Sequence, residues 1–309
     1  MSQVQTPPAA SSSKVFRLGA VGVDSSHLPE FTRRIAERHE QGLTPCRVTS
    51  FWTDGQHHMP ADQVEQWVAD TEALGAKPCD DLSEMLDDVD GVLVLSVSGH
   101  DHLKHATPSL ERGLPTYIDK PLACDPAEAK QIRDLAVKHQ APCYSASSLR
   151  FANELKDVHA TKLGELAAID AYGPGELHDL MPGVLFYGVH TIEMVDALWG
   201  PGVAAVSARH TEERDFVHLR YHDGRDATLR LERVGSYDFG ATVHGKDGLH
   251  TFKVDFATVY DRLVEGMTRF FDEGVAPASL DHILENIVVM DAANRSMRQD
   301  GAWITLGAE

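Results

Sequence analysis

Cysteine is scarce. The 309-residue chain has four, Cys46, Cys79, Cys124 and Cys143, none in a Cys-x-x-Cys pair. That spacing indicates neither a zinc ribbon nor a disulfide framework, and buried free thiols in a reducing compartment fit best. Basic residues are also few: 28 Lys and Arg against 47 Asp and Glu leave a net charge of −19. Such a balance lacks the clustered cations that neutralise phosphates, and no helix-turn-helix or basic arm offsets it, so nucleic acid is not an expected partner. An anionic small molecule stays open, because a local pocket can oppose the field of the whole surface. No apolar run approaches the roughly 20 residues of a membrane-spanning helix. The leader, residues 1–14, is rich in Ser, Pro and Ala and has no apolar core segment. It reads as a disordered tail, not a signal peptide, and the cytoplasm is the expected location.

What the chain does have is alternation. An apolar run at 15–23 predicts a buried first strand, followed by a turn and a helix with Leu28, Phe31 and Ile35 on one face. Further strands are predicted at 47–52, 91–97, 115–118 and 142–147, with helices at 63–74, 102–112 and 126–139 between them. This is the pattern of an α/β, Rossmann-type, doubly wound parallel sheet over residues 15–148. From 149 the pattern changes to an α+β domain reaching 309. A helix at 150–158, a Gly/Pro-rich loop at 173–183 and a helix around 188–199 precede five strand-like runs between 203 and 254. Two helices, 260–272 and 280–298, and a last strand close the chain. The expected second domain is built on a large, mostly antiparallel open sheet whose bare face suits a homodimer or homotetramer.

The stretch Tyr117-Ile118-Asp119-Lys120-Pro121 is the strongest candidate for chemistry. It ends a strand just before a helix start at Asp125-Pro126, with Asp as N-cap and Pro at the first helical position. Lys120 therefore falls at the carboxyl edge of the parallel sheet, where α/β proteins bind ligands. A partly desolvated lysine there can hydrogen-bond, or exchange a proton with, a substrate oxygen; a turn lysine is the plain alternative. At the first turn, Gly22 opens a dinucleotide-like fingerprint in which Asp24 and His27 stand where the second and third glycines belong. A carboxylate at position 24 is expected to repel a pyrophosphate, while Ser25 and Ser26 offer hydroxyls and N–H groups at the helix start. Asp54, after the second strand, is either a ribose-binding acid or an ordinary Asp-Gly turn.

Across nearly all of residues 15–306 the chain resembles the glucose–fructose oxidoreductase / inositol dehydrogenase (Gfo/Idh/MocA) family. The resemblance rests on Gly19 to His27, on His102, Gly113 and Asp119-Lys120-Pro121 at the family's spacing, and on the helix centred on His190. It implies a Rossmann domain joined to an α/β domain whose open sheet forms dimers, and NAD(P)-dependent oxidation or reduction of a sugar, cyclitol or related polyol. By the same resemblance Lys120 bonds the reacting oxygen and His190 is the acid/base. Gly22, Ser25, Ser26, His27, Asp54, Ser96, Asp119 and Lys120 are expected to surround the NAD or NADP cofactor. Arg150, Tyr187 and Glu193 join Lys120 and His190 around the substrate, with Glu193 one helical turn from His190 and able to orient it. Arg150 is either a clamp for a substrate carboxylate or phosphate, or a salt-bridged helix-start arginine.

The departures from the family pattern concern the site itself. Phe186 stands where many polyol dehydrogenases of the family carry an Asp four residues before the histidine, and Val97-Ser98-Gly99 replaces the usual Thr-Pro-Asn. A second reading therefore keeps the fold and drops redox turnover. In it His27, His100, His102, His105 and His190, with Asp24 and Asp101, serve a lyase or hydrolase acting on a sugar derivative, with a metal if three or four of them converge. No specific metal-binding spacing is present, and no metal is expected. A third reading is a non-catalytic binding protein with a degenerate cofactor pocket.

Overall fold

Runs such as Gly91–Val94 are apolar at every position because parallel strands covered by helices on both faces have no wet side. In the computed structural model, which describes residues 14–307, all four of these residues are buried. Residues 1–13 of the expected tail lie outside the described residues.

The first half runs β1 (Phe16–Val21), α1 (His27–Glu40), β2 (Cys46–Trp52), α2 (Ala61–Ala73), β3 (Lys77–Pro78), α3 (Leu82–Asp88), β4 (Gly91–Val94), α4 (His102–Glu111), β5 (Thr116–Ile118), α5 (Pro126–His139) and β6 (Cys143–Ser145). The strands form one parallel six-stranded sheet in the order β3-β2-β1-β4-β5-β6. Strand order reverses between β1 and β4, so the exits of β1, β4 and β5 share one edge beside the crevice that this topology leaves open. Helix α1 buries Leu28, Phe31, Thr32 and Ile35, spaced three and four residues apart; Phe31 is fully buried, and truncating it to Ala is worth about 3–5 kcal/mol. As the sequence indicates, Asp125 caps α5, accepting from the amides of Ala127 and Glu128 at 2.8 and 3.0 Å.

The second half runs α6 (Asn153–Ala160), β7 (Leu166–Pro174), α7 (Gly188–Trp199), β8 (Val203–His210), β9 (Arg214–Tyr221), β10 (Asp226–Glu232), β11 (Gly240–Gly245), β12 (Gly248–Lys253), α8 (Phe256–Glu273), α9 (Leu280–Arg298) and β13 (Ile304–Thr305). Its seven-stranded sheet has the order β12-β11-β7-β10-β9-β8-β13, antiparallel except where β7 pairs β10. Burial alternates along β9 and β10: α7 and α9 cover one face, and the other is bare among the described residues. Helices α8 and α9 also pack on α1 and α5 of the first half.

Three expectations shift. The helix expected from Arg150 starts as a tight 3-10 turn, Ser148–Phe151, because the Ser147 hydroxyl accepts from the Leu149 amide; α6 follows at Asn153. Helix α8 starts at Phe256, capped by Asp255, so Tyr260 lies within it. Cys46, Cys124 and Cys143 are buried free thiols, but Cys79 is only half-buried.

Candidate active site

The turn after β1 is built for close approach. Gly22 has φ +90°, and a Cβ there would sit 2.5 Å from the Ser96 hydroxyl, so no other residue fits. Asp24 is buried, with its oxygens used in two directions: Oδ2 accepts from the His58 amide at 3.0 Å and Oδ1 from the Val97 amide at 3.1 Å. Both oxygens that the sequence sets against a pyrophosphate are thus turned to backbone donors, and Asp24 ties the loop after β2 to the loop after β4. The amides of Ser25 and Ser26 make no hydrogen bond among the described residues. Orphan donors at the start of α1 fit a phosphate group.

On the other side of the crevice Asp54 follows β2. Its Oδ2 pairs with the Lys104 ammonium and takes a 3.3 Å bond from His105 Nε2, while Oδ1 accepts from the Gln56 amide at 3.0 Å. Burial alone would raise its pKa; Lys104, the Gln56 amide and His105 instead hold the carboxyl well below the usual range. His105 Nδ1 in turn lies 2.5 Å from the Ser96 hydroxyl. Ser96 is buried and turned to His105, so its side chain does not offer itself to a cofactor as the sequence suggested. A second tie, His58 Nε2 to Asp101 Oδ2 at 2.7 Å, joins the same two loops.

At the exit of β5, Asp119 is buried and bonded to His27 Nδ1 at 2.6 Å; the other His27 nitrogen lies 3.3 Å from the Tyr260 hydroxyl on α8. Burial would raise the Asp119 pKa, but the charges of His27 and Lys120 outweigh it and keep the group a carboxylate. Burial pushes the Tyr260 phenol up to about 12, so it stays protonated and able to donate. His102, fully buried, bridges Ser96 O and Pro121 O at 2.9 Å each, fixing the loops after β4 and β5 against each other. Lys120 itself is half-buried, and among the described residues its ammonium makes no hydrogen bond or ion pair.

His190, on the first turn of α7, holds Nδ1 2.7 Å from the Ser147 hydroxyl; Nε2 makes no bond among the described residues. Burial first, then the charges of Lys120 and His27, hold its pKa well below the ordinary imidazole range, against an opposing pull from Asp119. The ring is neutral near pH 7. The Ser147 oxygen also accepts from the Leu149 amide, so it can donate to Nδ1 or accept from it, whichever tautomer is present. Glu193 does not orient His190, contrary to expectation. It is buried, accepting from the Ser147 amide at 3.0 Å and from Arg150 Nε at 3.1 Å. Arg150 is likewise no substrate clamp: its side chain is 7% exposed, and it spans Glu193 and Asp196, the latter also held by His282 and Asn286. A buried guanidinium between two buried acids has its donors committed. Tyr187 does remain beside His190, edge-on at 5.2 Å between ring centres.

Thus Lys120, His190, His27, Asp119 and Tyr187 converge, while His100 and His105 do not. His100 lies near Glu128 and His105 turns to Ser96 and Asp54. Among the described residues no three His, Cys, Asp or Glu side chains come together as a metal ion requires. The sequence reading missed Ser147 and Tyr260. Each is distant in sequence from its partner, by 43 and 233 residues, and neither sits in a motif.

A six-stranded Rossmann sheet with orphan amides at α1, joined to a second open sheet, defines a two-domain nucleotide-binding fold. Residues 18–147 match the family described as "Oxidoreductase family, NAD-binding Rossmann fold" (Gfo/Idh/MocA). An uncharacterized oxidoreductase of Escherichia coli, YhhX, is 27% identical over 190 residues, 54% of this chain and 54% of the relative. Inositol 2-dehydrogenase of Corynebacterium glutamicum is 24% identical over 220 residues, 67% of this chain and 60% of the relative. The chain thus spans little more than half the length of these relatives. The crystal structure of GenD2 from gentamicin A biosynthesis, in complex with NAD, superposes with a TM-score of 0.78 at 16% identity, covering 99% of this chain and 100% of that one. At that identity the likeness is one of fold. Among the described residues no helix is long and apolar enough to cross a membrane.

Proposed function

We propose that the protein is an NAD(P)-dependent dehydrogenase or reductase acting on a hydroxyl or carbonyl of a sugar, cyclitol or related polyol in the cytoplasm. One observation carries this reading: Lys120, whose ammonium makes no hydrogen bond or ion pair among the described residues, lies near enough to the Ser147-held His190 to help hold its pKa down, at the ligand-binding edge of a Rossmann sheet. The nicotinamide, when bound, accepts or supplies the hydride. Gly22 permits close approach, Ser25, Ser26 and the start of α1 would hold the phosphates, Asp54 the ribose, and His27 with Asp119 the end nearest Lys120. In the oxidative direction His190 Nε2 takes the hydroxyl proton, and Lys120 stabilises the negative charge left on that oxygen. A neutral imidazole is the right form for the first step, and the lysine that stabilises the oxygen also keeps the histidine neutral. Asp119 keeps the local charge near balance by facing both His27 and Lys120. In the reductive direction the same groups work in reverse.

We place the domain division near residue 148. A homodimer or homotetramer contact belongs on the bare face of the second sheet, where Phe216 and Trp303 lie exposed under Arg230 and Arg220. A polyol and sugar screen followed at 340 nm tests the activity. Lys120→Ala should lower kcat/KM by at least about 10³, the scale of lost oxyanion stabilisation, with nucleotide affinity within a few-fold of wild type. Turnover retained in that variant would remove the lysine from the mechanism.

A further inference from the structure

Beside His190 the chain carries rings where a polyol site needs hydrogen-bonding groups. Phe186 occupies the position four residues before the histidine, and its ring lies 5.6 Å from Tyr187. Tyr187 and Phe239 flank His190 at 5.2 and 5.9 Å, and Phe256 lies 5.4 Å from Phe239. Phe256 brings this ring series to solvent, and Tyr237, whose phenol lies near Tyr187, stands at the same rim. Leu177, Tyr237 and Phe256 are 45, 58 and 43% exposed, on three segments far apart in sequence. The rim is constructed, not incidental: Tyr237 donates to Glu176, Gly175 N donates to Glu232 O at 2.7 Å, and Arg233 Nη1 donates to Gly175 O at 3.0 Å, stitching the loop after β7 to the loop after β10. Arg150, the one cation the sequence offered for an anionic substrate group, is withdrawn into its ion pairs.

Exposed aromatics in a soluble chain normally occur singly; a connected set leading to a reacting pair marks a binding surface. We propose that the substrate is a ring polyol or sugar bearing a flat apolar substituent, an aryl group or its equivalent. The reacting hydroxyl lies at Lys120 and His190, and the substituent packs against Tyr237 and Phe256. This rests on the dehydrogenase reading for the reacting end and adds the class of group that the rim selects. Stacked rings contribute beyond the area they bury, so a matched pair differing only in this substituent should be separated by about tenfold in affinity.

The test is calorimetric binding of matched phenyl and methyl glycosides of the common hexoses, and of phenyl-substituted and unsubstituted inositols, to the wild-type chain. Tyr237→Ala, Phe256→Ala and Tyr237→Phe are run alongside. The expected result is phenyl members binding about tenfold tighter, with that preference lost in both alanine variants and kept in Tyr237→Phe, which retains the ring. Equal affinities within pairs, tighter methyl members, or no phenyl member binding at 10 mM would each overturn the proposal. Turnover at 340 nm separates the two readings. Phenyl preference without any nucleotide reduction would leave the rim intact and sink the dehydrogenase. Nucleotide reduction that proceeds equally well on bare polyols would do the reverse.

Discussion

Replacing Arg150 by Met separates two roles that the sequence alone cannot distinguish. The Arg150 side chain is 7% exposed, those of its partners Glu193 and Asp196 are 3 and 6% exposed, and Arg150 Nε lies 3.1 Å from Glu193 Oε2. Methionine fills much of the volume but leaves Glu193 without its cation, while Asp196 keeps only His282 and Asn286. Breaking a buried pair from one side costs about 3–5 kcal/mol, because the remaining charge stays uncompensated. Burial already raises the Glu193 pKa while Arg150 lowers it; without Arg150 the pKa rises further. A carboxyl raised above its unfolded value of about 4.3 binds its proton in the folded state first, so stability falls as pH rises through that window. The deficit should therefore be larger at pH 8 than at pH 5. Urea denaturation at both pH values, with slopes compared to confirm two-state behaviour, reads it directly. Adding Glu193→Gln to Arg150→Met should recover part of the loss. A deficit under about 1 kcal/mol, with KM raised instead, would refute the structural role and return Arg150 to the substrate.

Two further tests address the electrostatics. Lys120→Met removes a positive charge that holds His190 down, so the His190 ring, followed by NMR titration, should shift its pKa upward towards the ordinary imidazole range; an unchanged or lower value contradicts the pairing. In the wild type a depressed histidine means that the unfolded chain takes up the proton first, so stability falls as pH drops below about 6.5. Asp24→Asn keeps one acceptor for two amides and turns an NH₂ group towards the other. It should cost about 1–3 kcal/mol and raise hydrogen exchange at His58 or Val97, whereas an unperturbed loop would show that those bonds do not matter.

Much of the fold was legible because its signals are local: the wholly apolar β4 and the Asp125-Pro126 cap each follow from a few adjacent residues. Lys120 and His190 were singled out by their motif positions, and the fold brings them near one another. What failed was the reading of charges. In a sequence, where their partners are invisible, Asp24 reads as a bar to a pyrophosphate and Arg150 as either a clamp or a salt-bridged helix start; the fold gives Asp24 two amides from separate loops and gives Arg150 two acids on α7. A signal for the second existed. Glu193 and Asp196, three apart on the buried part of α7, share one face and require a buried cation. No comparable signal pointed to Ser147 or Tyr260, whose roles arise only when the strand edges meet α7 and α8.

The most direct test of the account is calorimetric titration of NAD⁺, NADH, NADP⁺ and NADPH into the wild-type protein. The account expects saturable binding of at least one nucleotide at one site per chain. NADH should bind more tightly than NADPH, because Asp54 accepts from a ribose hydroxyl and repels a 2′-phosphate. Lys104→Ala, which frees that carboxylate, should tighten NADH by about two- to fivefold, the scale of an exposed ion pair. Absence of saturable binding for all four nucleotides would contradict the assignment of this Rossmann crevice to a nicotinamide cofactor, and with it the oxidoreductase reading.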